Sequence, residues 1–198
     1  MPQRVKQYTP EEYYCLERKA EFKSDFYDGE IFAMAGASAR HNKIVANIIS
    51  ELQVRLRKGP CETYASDMRL KVAATALRTY PDVSVYCDHL EADQEDAFGE
   101  TFTNPTALFE VLSKSTEAYD RGTKAESYRQ VSSLRAYVFV AQDRPHVEIF
   151  ERNGDMWELR DATGIDAALK IASLGIEIPL AQIYYAIDFG SSESPLAS

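Results

Sequence analysis

No stretch of this 198-residue chain approaches the ~20 consecutive apolar residues needed to cross a bilayer. Its start, Met1-Pro2-Gln3-Arg4, lacks the apolar run of a secretory signal. Cysteine is scarce: Cys15, Cys61 and Cys87 are odd in number, widely spaced and form no Cys-x-x-Cys. That argues against zinc and against a disulfide framework, and fits reduced thiols in the cytoplasm. Gly-x-Ser-x-Gly does not occur and no local context suggests a Cys/His pair, so a serine or cysteine hydrolase is poorly supported. A helix-turn-helix, zinc finger or other separate DNA-reading module is also missing. What is present is an ordinary globular composition, 45% hydrophobic and 11% aromatic, sufficient at this length for one domain with a real core. We expect that domain over residues 1–190 and a disordered tail over 191–198.

The net charge of −9 argues at first against nucleic acid, but six of the acids (Asp88, Glu91, Asp93, Glu95, Asp96 and Glu100) fall in one segment without Lys or Arg. Net charge bears on long-range steering rather than on what a local groove binds. Arg40, Lys43, Arg55, Arg57, Lys58, Arg69 and Lys71 lie close in sequence and can contact phosphates without reading bases. Solvated helices commonly look the same, and an ordinary charged face is the default.

Thr9-Pro10-Glu11-Glu12 is a capping box with proline at the first helical position, predicting a helix to about Lys19. Asp28-Gly29 separates Phe22–Tyr27 from Glu30–Met34 as a hairpin. Ser38 is the expected N-cap of the longest helix, which ends near Gly59-Pro60 and carries Ile44, Val45, Ile48, Ile49, Leu52 and Leu56 on one face. Strands are expected from about Glu62 to Val72 and from Thr79 to Cys87, with Pro81 setting Asp82 at the latter's beginning. Thr106–Leu112 and Ala136–Ala141 read as core strands. Thr123-x-x-Glu126 reads as a second capping box, opening a helix to about Val131. Asn153-Gly154 joins His146–Glu151 to Met156–Arg160. A short strand near Ile176–Ile178 and a helix near Leu180–Ile187 complete an α/β sandwich around a mixed sheet.

The chemistry is carried by Asp82 and Glu110, which stand among Val83, Val85, Leu108, Val111 and Leu112. Burying a carboxylate among such side chains is costly unless it is paired or metal-bound. Two such acids on adjacent core strands, followed by a lysine, suggest a divalent-metal phosphodiester site. Each residue has a plainer reading: Asp82 as a partner of strand-start amides, Asp120 and Lys124 as a surface i,i+4 ion pair, Glu30 as a solvated acid after a turn, and His41 as a capping or core histidine.

The ordered segments Tyr8-Thr9-Pro10-Glu11-Glu12-Tyr13, Tyr27-Asp28-Gly29-Glu30-Ile31, His41, Tyr80-Pro81-Asp82, Asn104-Pro105, Glu110-Val111-Leu112-Ser113, Tyr119-Asp120-Arg121-Gly122 and Lys124 resemble the Uma-type restriction endonucleases of the PD-(D/E)XK nuclease superfamily. The resemblance runs from about Tyr8 to Phe189. It implies a restriction-endonuclease-like α/β core with an N-terminal helix-hairpin and a C-terminal hairpin added. It also implies a Mg²⁺- or Mn²⁺-dependent DNA endonuclease, leaving 3′-hydroxyl and 5′-phosphate ends and acting as a homodimer or higher homo-oligomer. In that reading Asp82, Glu110 and the backbone carbonyl of Val111 hold the metal. A lysine steadies the transition state, and Glu30 and Asp120 are accessory acids. The chain departs from the superfamily where Leu112 replaces the lysine expected two residues after Glu110. Lys124 matches the place from which Uma-type proteins supply the cation, and Lys114 is its rival. Lys124 would also oppose the helix macrodipole behind an N-cap Thr123. The acidic segment and the missing strand lysine favour the alternative, a catalytically inactive nuclease-derived domain that binds DNA or protein.

Overall fold

A computed structural model of the chain describes residues 6–34 and 36–189; the tail over 191–198 lies outside them. The first half comprises α1 (Pro10–Glu17), β1 (Ser24–Tyr27), β2 (Glu30–Ala33), α2 (Ala39–Leu56), β3 (Cys61–Ala65), β4 (Arg69–Val72), β5 (Leu77–Thr79), β6 (Val83–Cys87), β7 (Thr101–Phe102) and β8 (Ala107–Leu112). The second comprises α3 (Glu117–Tyr119), a π-helical turn (Asp120–Lys124), α4 (Ala125–Tyr128), β9 (Ala136–Ala141), β10 (His146–Asn153), β11 (Met156–Thr163), β12 (Ala168–Ile171), β13 (Ile176–Pro179) and α5 (Leu180–Ile183). Among the described residues no helix is long and apolar enough to cross a membrane.

Two of the expected N-caps form, those of Thr9 and Ser38. Thr9 Oγ1 accepts from the Glu12 amide at 3.2 Å while Glu12 Oε2 accepts from the Thr9 amide at 2.9 Å, and Ser38 Oγ accepts from the His41 amide at 3.1 Å. A six-stranded sheet runs β11-β10-β9-β8-β6-β3 and a five-stranded one runs β2-β1-β5-β4-β7, with β12 and β13 as a separate ribbon. Within the larger sheet β8 and β9 are parallel. A parallel pair needs a crossover, and the helical segment α3–π-turn–α4 supplies it. Alternation divides the larger sheet's side chains between two cores. Val83, Val85, Phe109, Val111, Val138 and Val140 face α2, whereas Leu108, Leu112, Tyr137 and Phe139 face α4 and the smaller sheet. Glu110, between Phe109 and Val111, therefore points into the second core.

Several expectations are corrected. The single strand over 62–72 is two, β3 and β4, in different sheets. The chain turns at Ser66-Asp67, where the Met68 amide donates to the Ala65 carbonyl at 3.1 Å. The strand over 79–87 is likewise β5 and β6, interrupted at Tyr80-Pro81-Asp82. Proline has no amide for a ladder, so the chain changes sheets there, and Asp82 sits at the junction immediately before β6 rather than inside a strand. The Thr123/Glu126 capping box does not form. Thr123 lies inside the π-turn, in a helical run that starts at Thr116, so the macrodipole argument for Lys124 lapses. The strand β12 was not anticipated, and α5 ends at Ile183 rather than near Ile187. Nor are all the thiols reduced. Cys61 and Cys87 stand directly opposite each other in the β3–β6 ladder, with Cα atoms 3.9 Å apart, and form a disulfide. Their separation of 26 residues concealed that register.

Candidate active site

The antiparallel register of β6 and β8 pairs Val83 with Phe109. Continued by one residue it sets Asp82 opposite Glu110. Asp82 Oδ2 accepts from the Val111 amide at 2.7 Å and lies 3.1 Å from His41 Nε2 at the start of α2. An interior strand and a helix start thus fix one carboxylate. Glu110 is 3% exposed; its Oε1 accepts from Lys124 Nζ and from the Tyr128 hydroxyl, both at 3.1 Å. Lys124 Nζ is also 3.5 Å from Asp120 Oδ1.

The π-turn makes this arrangement possible. Such turns are rare and are frequently found at functional sites. Here the turn carries Asp120 and Lys124 inward, each 4% exposed, so the surface ion pair expected of them is instead a buried one. The Tyr137 hydroxyl, from β9, donates to the Asp120 carbonyl at 3.2 Å and anchors the turn from below.

Burial pushes Glu110 well above the usual carboxylate range; Lys124 opposes that shift, while Asp120 and Asp82 add to it. Asp120 is raised too, by burial first and then against the pull of Lys124. Burial disfavours a charged Lys124, but Glu110, Asp25 and Asp120 outweigh it and hold the ammonium protonated well above its ordinary range. Lys124 therefore faces three carboxyl groups, those of Glu110, Asp25 and Asp120, while Asp82 acts on Glu110. Carboxyl groups outnumber the cation there.

These groups lie in a cleft of about 1380 Å³ lined by Asp25, His41, Asp82, Glu110, Asp120 and Lys124 among others. Among the lining residues His41 Nδ1 is a buried polar atom without a hydrogen-bond partner, and the Tyr119 hydroxyl lies against the Asp25 carboxylate. Unpaired buried polar atoms are uncommon and call for a reason.

Of the residues singled out in the sequence, Asp82, Glu110, Val111, Asp120 and Lys124 come together. Glu30 begins β2 opposite Tyr27 and is not among the residues lining the cleft. Lys114 lines it but is exposed, whereas Lys124 is buried against Glu110. Sequence reasoning missed Asp25, 5% exposed on β1. The signal was available: a lone acid among Phe26 and Tyr27 is the same pattern that marked Glu110. Arg69 and Lys71, considered for phosphate contacts, are instead buried in ion pairs with Glu100, Asp93 and Glu95.

A family model described as "Putative restriction endonuclease" (Uma2) matches residues 10–181. The chain belongs to the Uma2 family. Two Synechocystis proteins, "Uncharacterized protein slr1290" and "Uncharacterized protein sll1609", are 33% and 34% identical to this chain over 182 and 169 residues. These matches cover 91% and 85% of this chain and 93% and 94% of the relatives. The Uma2 chain also superposes on a crystal structure from Anabaena variabilis titled "putative nuclease belonging to DUF820", with a TM-score of 0.71 at 15% identity, covering 87% of this chain and 95% of that one. At that identity the likeness shows the fold: a mixed α/β, restriction-endonuclease-like architecture.

Proposed function

We propose that this chain is a divalent-metal-dependent DNA endonuclease that hydrolyses phosphodiester bonds at the Asp82–Glu110–Lys124 cluster. One observation carries the reading: an excess of carboxylates converges on a single buried ammonium at the floor of an open cleft. As a purely structural cluster it is poorly balanced, because buried like charges repel strongly in a low-dielectric surround.

The donor set suits Mg²⁺ or Mn²⁺. Carboxylate and carbonyl oxygens are the ligands such ions take, and a hard cation would offset the repulsion that Asp120 and Asp82 exert on Glu110. Among the described residues no group of three or more His, Cys, Asp or Glu side chains is gathered to hold an ion unaided. Asp82, Glu110 and the Val111 carbonyl would hold it, with water filling the remaining positions. When bound, the ion would acidify a water and offset charge on the phosphate.

The chain's own residues do the rest. Lys124 presents a fixed positive charge where negative charge grows during phosphoryl transfer, so no reorganisation is needed at the moment of reaction. Asp120 positions Lys124 through the i,i+4 pair. His41 and the Val111 amide hold Asp82 in one rotamer. Tyr128 does the same for Glu110. The test is cleavage of plasmid and oligonucleotide DNA with and without Mg²⁺ or Mn²⁺ by the wild type, Asp82→Ala and Glu110→Ala. Full activity in both variants would refute the reading.

A further inference from the structure

One wall of the cleft is formed by the β1–β2 hairpin and the bend that leads into it, and it carries aromatic side chains. Phe22 and Phe32 are 75% and 48% exposed and both line the cleft, together with Tyr27 and Met34. Large apolar rings held in water at the mouth of a charged site are not needed for the core. Phe26, on the same hairpin, is the one buried against α1.

The cations around the rim are mostly occupied. Lys23 donates to Asp67 at 2.8 Å, and Arg40 donates to the Asp188 carbonyl at 2.9 Å. Arg121 is held by Glu148 at 2.6 Å, and Arg144 pairs with Asp143 at 3.1 Å. Among the described residues Lys114 is the exposed lining cation for which no ion pair or hydrogen bond is found. A groove that grips a duplex through its phosphates needs an array of free Lys and Arg. This one has few, and several acids beside them. Exposed rings offer the other route: a base that is not paired in a duplex stacks on an aromatic face, whatever its identity.

We infer that Phe22 and Phe32 form a base-stacking platform and that the substrate enters the cleft as single-stranded or unpaired DNA. The inference rests on the nuclease reading for the identity of the strand, but the platform can be tested without cleavage. Stacking would hold bases against the hairpin wall while the backbone passes the floor at Asp82 and Glu110.

Binding is measured by fluorescence anisotropy of a labelled oligo-dT 20-mer and of the matching duplex, with the wild type, Phe22→Ala, Phe32→Ala and Phe32→Trp. Circular dichroism melts check folding, which both exposed positions should preserve. The expected result is tighter binding of the single strand. Each alanine should weaken it by about 5- to 150-fold, and Phe32→Trp should retain it. The logarithmic salt slope should be shallow, on the order of −1 to −2, because few phosphates are neutralised. A parallel assay compares Mn²⁺-dependent cutting of a single-stranded circle and a supercoiled duplex. Preferred cutting of the circle, with the preference lost in the alanine variants, supports the platform. Equal or better binding and cutting of duplex, unaffected by either alanine, would overturn it and leave the nuclease reading intact. Oligo-dT binding that depends on both rings without any cutting would keep the platform and sink the nuclease reading. Failure to bind oligo-dT at all would overturn the platform whatever the cleavage result.

Discussion

Two buried charge clusters occupy this molecule, and they are built on opposite plans. Around the five-stranded sheet, Lys71 Nζ lies 2.8 Å from both Asp93 and Glu95. Arg78, 1% exposed, bonds Glu95 and the Tyr14 hydroxyl, and Glu100 meets Arg18 and Arg69. Cations and acids alternate, and of the six acids in that segment Asp93, Glu95 and Glu100 are paired with Lys or Arg. Burial works against ionised Asp93, but hydrogen bonds from Lys71 and Tyr14 prevail and lower its pKa. Beneath the cleft the balance fails: burial, Asp120 and Asp82 drive Glu110 upward against a single lysine. The first cluster joins elements together; in the second, a proton on Glu110 or a further cation would relieve the repulsion. Strain of that kind belongs at functional sites, where stability is given up for chemistry.

Replacing carboxylates by amides in each cluster is the most direct way to break this contrast. The largest effect is expected from Asp82→Asn or Glu110→Gln, which should abolish metal-dependent DNA cleavage in a gel assay; retained cutting would remove the site from the cleft floor. Next, Lys124→Met should lower kcat by on the order of 10²–10³-fold, as loss of one preorganised charge does, with a smaller change in KM. A change confined to KM would make Lys124 a substrate-binding residue only.

Stability should then move in opposite directions. Asp93→Asn breaks a buried charged hydrogen bond and should cost about 1–3 kcal/mol, a fall in Tm of roughly 2–4 °C per kcal/mol for a chain of this size. Glu110→Gln, measured without metal, should instead raise stability by about 1 kcal/mol or less, read as a higher Tm, because it removes one of several repelling acids. A loss of stability in Glu110→Gln would show that the Lys124 pair outweighs the repulsion.

The smallest effects concern pH. Asp93 has a lowered folded pKa, so its contribution is present above the unfolded value of ~3.9 and is lost as pH falls through the folded one. Glu110 has a raised folded pKa, so its contribution is present below ~4.3 and is lost as pH rises through the folded value. Melts between about pH 3 and pH 8 should show Asp93→Asn flattening the acid limb and Glu110→Gln the upper limb. Identical profiles for both variants would remove the distinction between the clusters.

Much of the frame was legible in the chain. Thr9 and Ser38 announced two helix starts because a short hydroxyl side chain caps free amides locally. Asp28-Gly29 and Asn153-Gly154 announced hairpins because Asp28 and Gly29 adopt positive φ, as does Gly154. Asp82 and Glu110 were conspicuous because isolated acids among valines and leucines are costly. Thr123-x-x-Glu126 misled because the same motif can lie inside a helix when the preceding turn, here Glu117–Tyr119, is already helical. The strands over 62–72 and 79–87 were read as continuous because β-propensity does not say which sheet a residue joins.

The sequence by itself determined two helix starts, the hairpins, the apolar faces and the two isolated acids, since these depend on periodicity and on neighbours a few residues away. Only the tertiary structure decided that Lys124 rather than Lys114 meets Glu110, that Asp25 joins them, that Cys61 faces Cys87 and that Arg78 is wholly buried. Those outcomes rest on sheet register and on a π-turn that rotates two charged side chains inward, and both are set by packing between segments far apart in the chain.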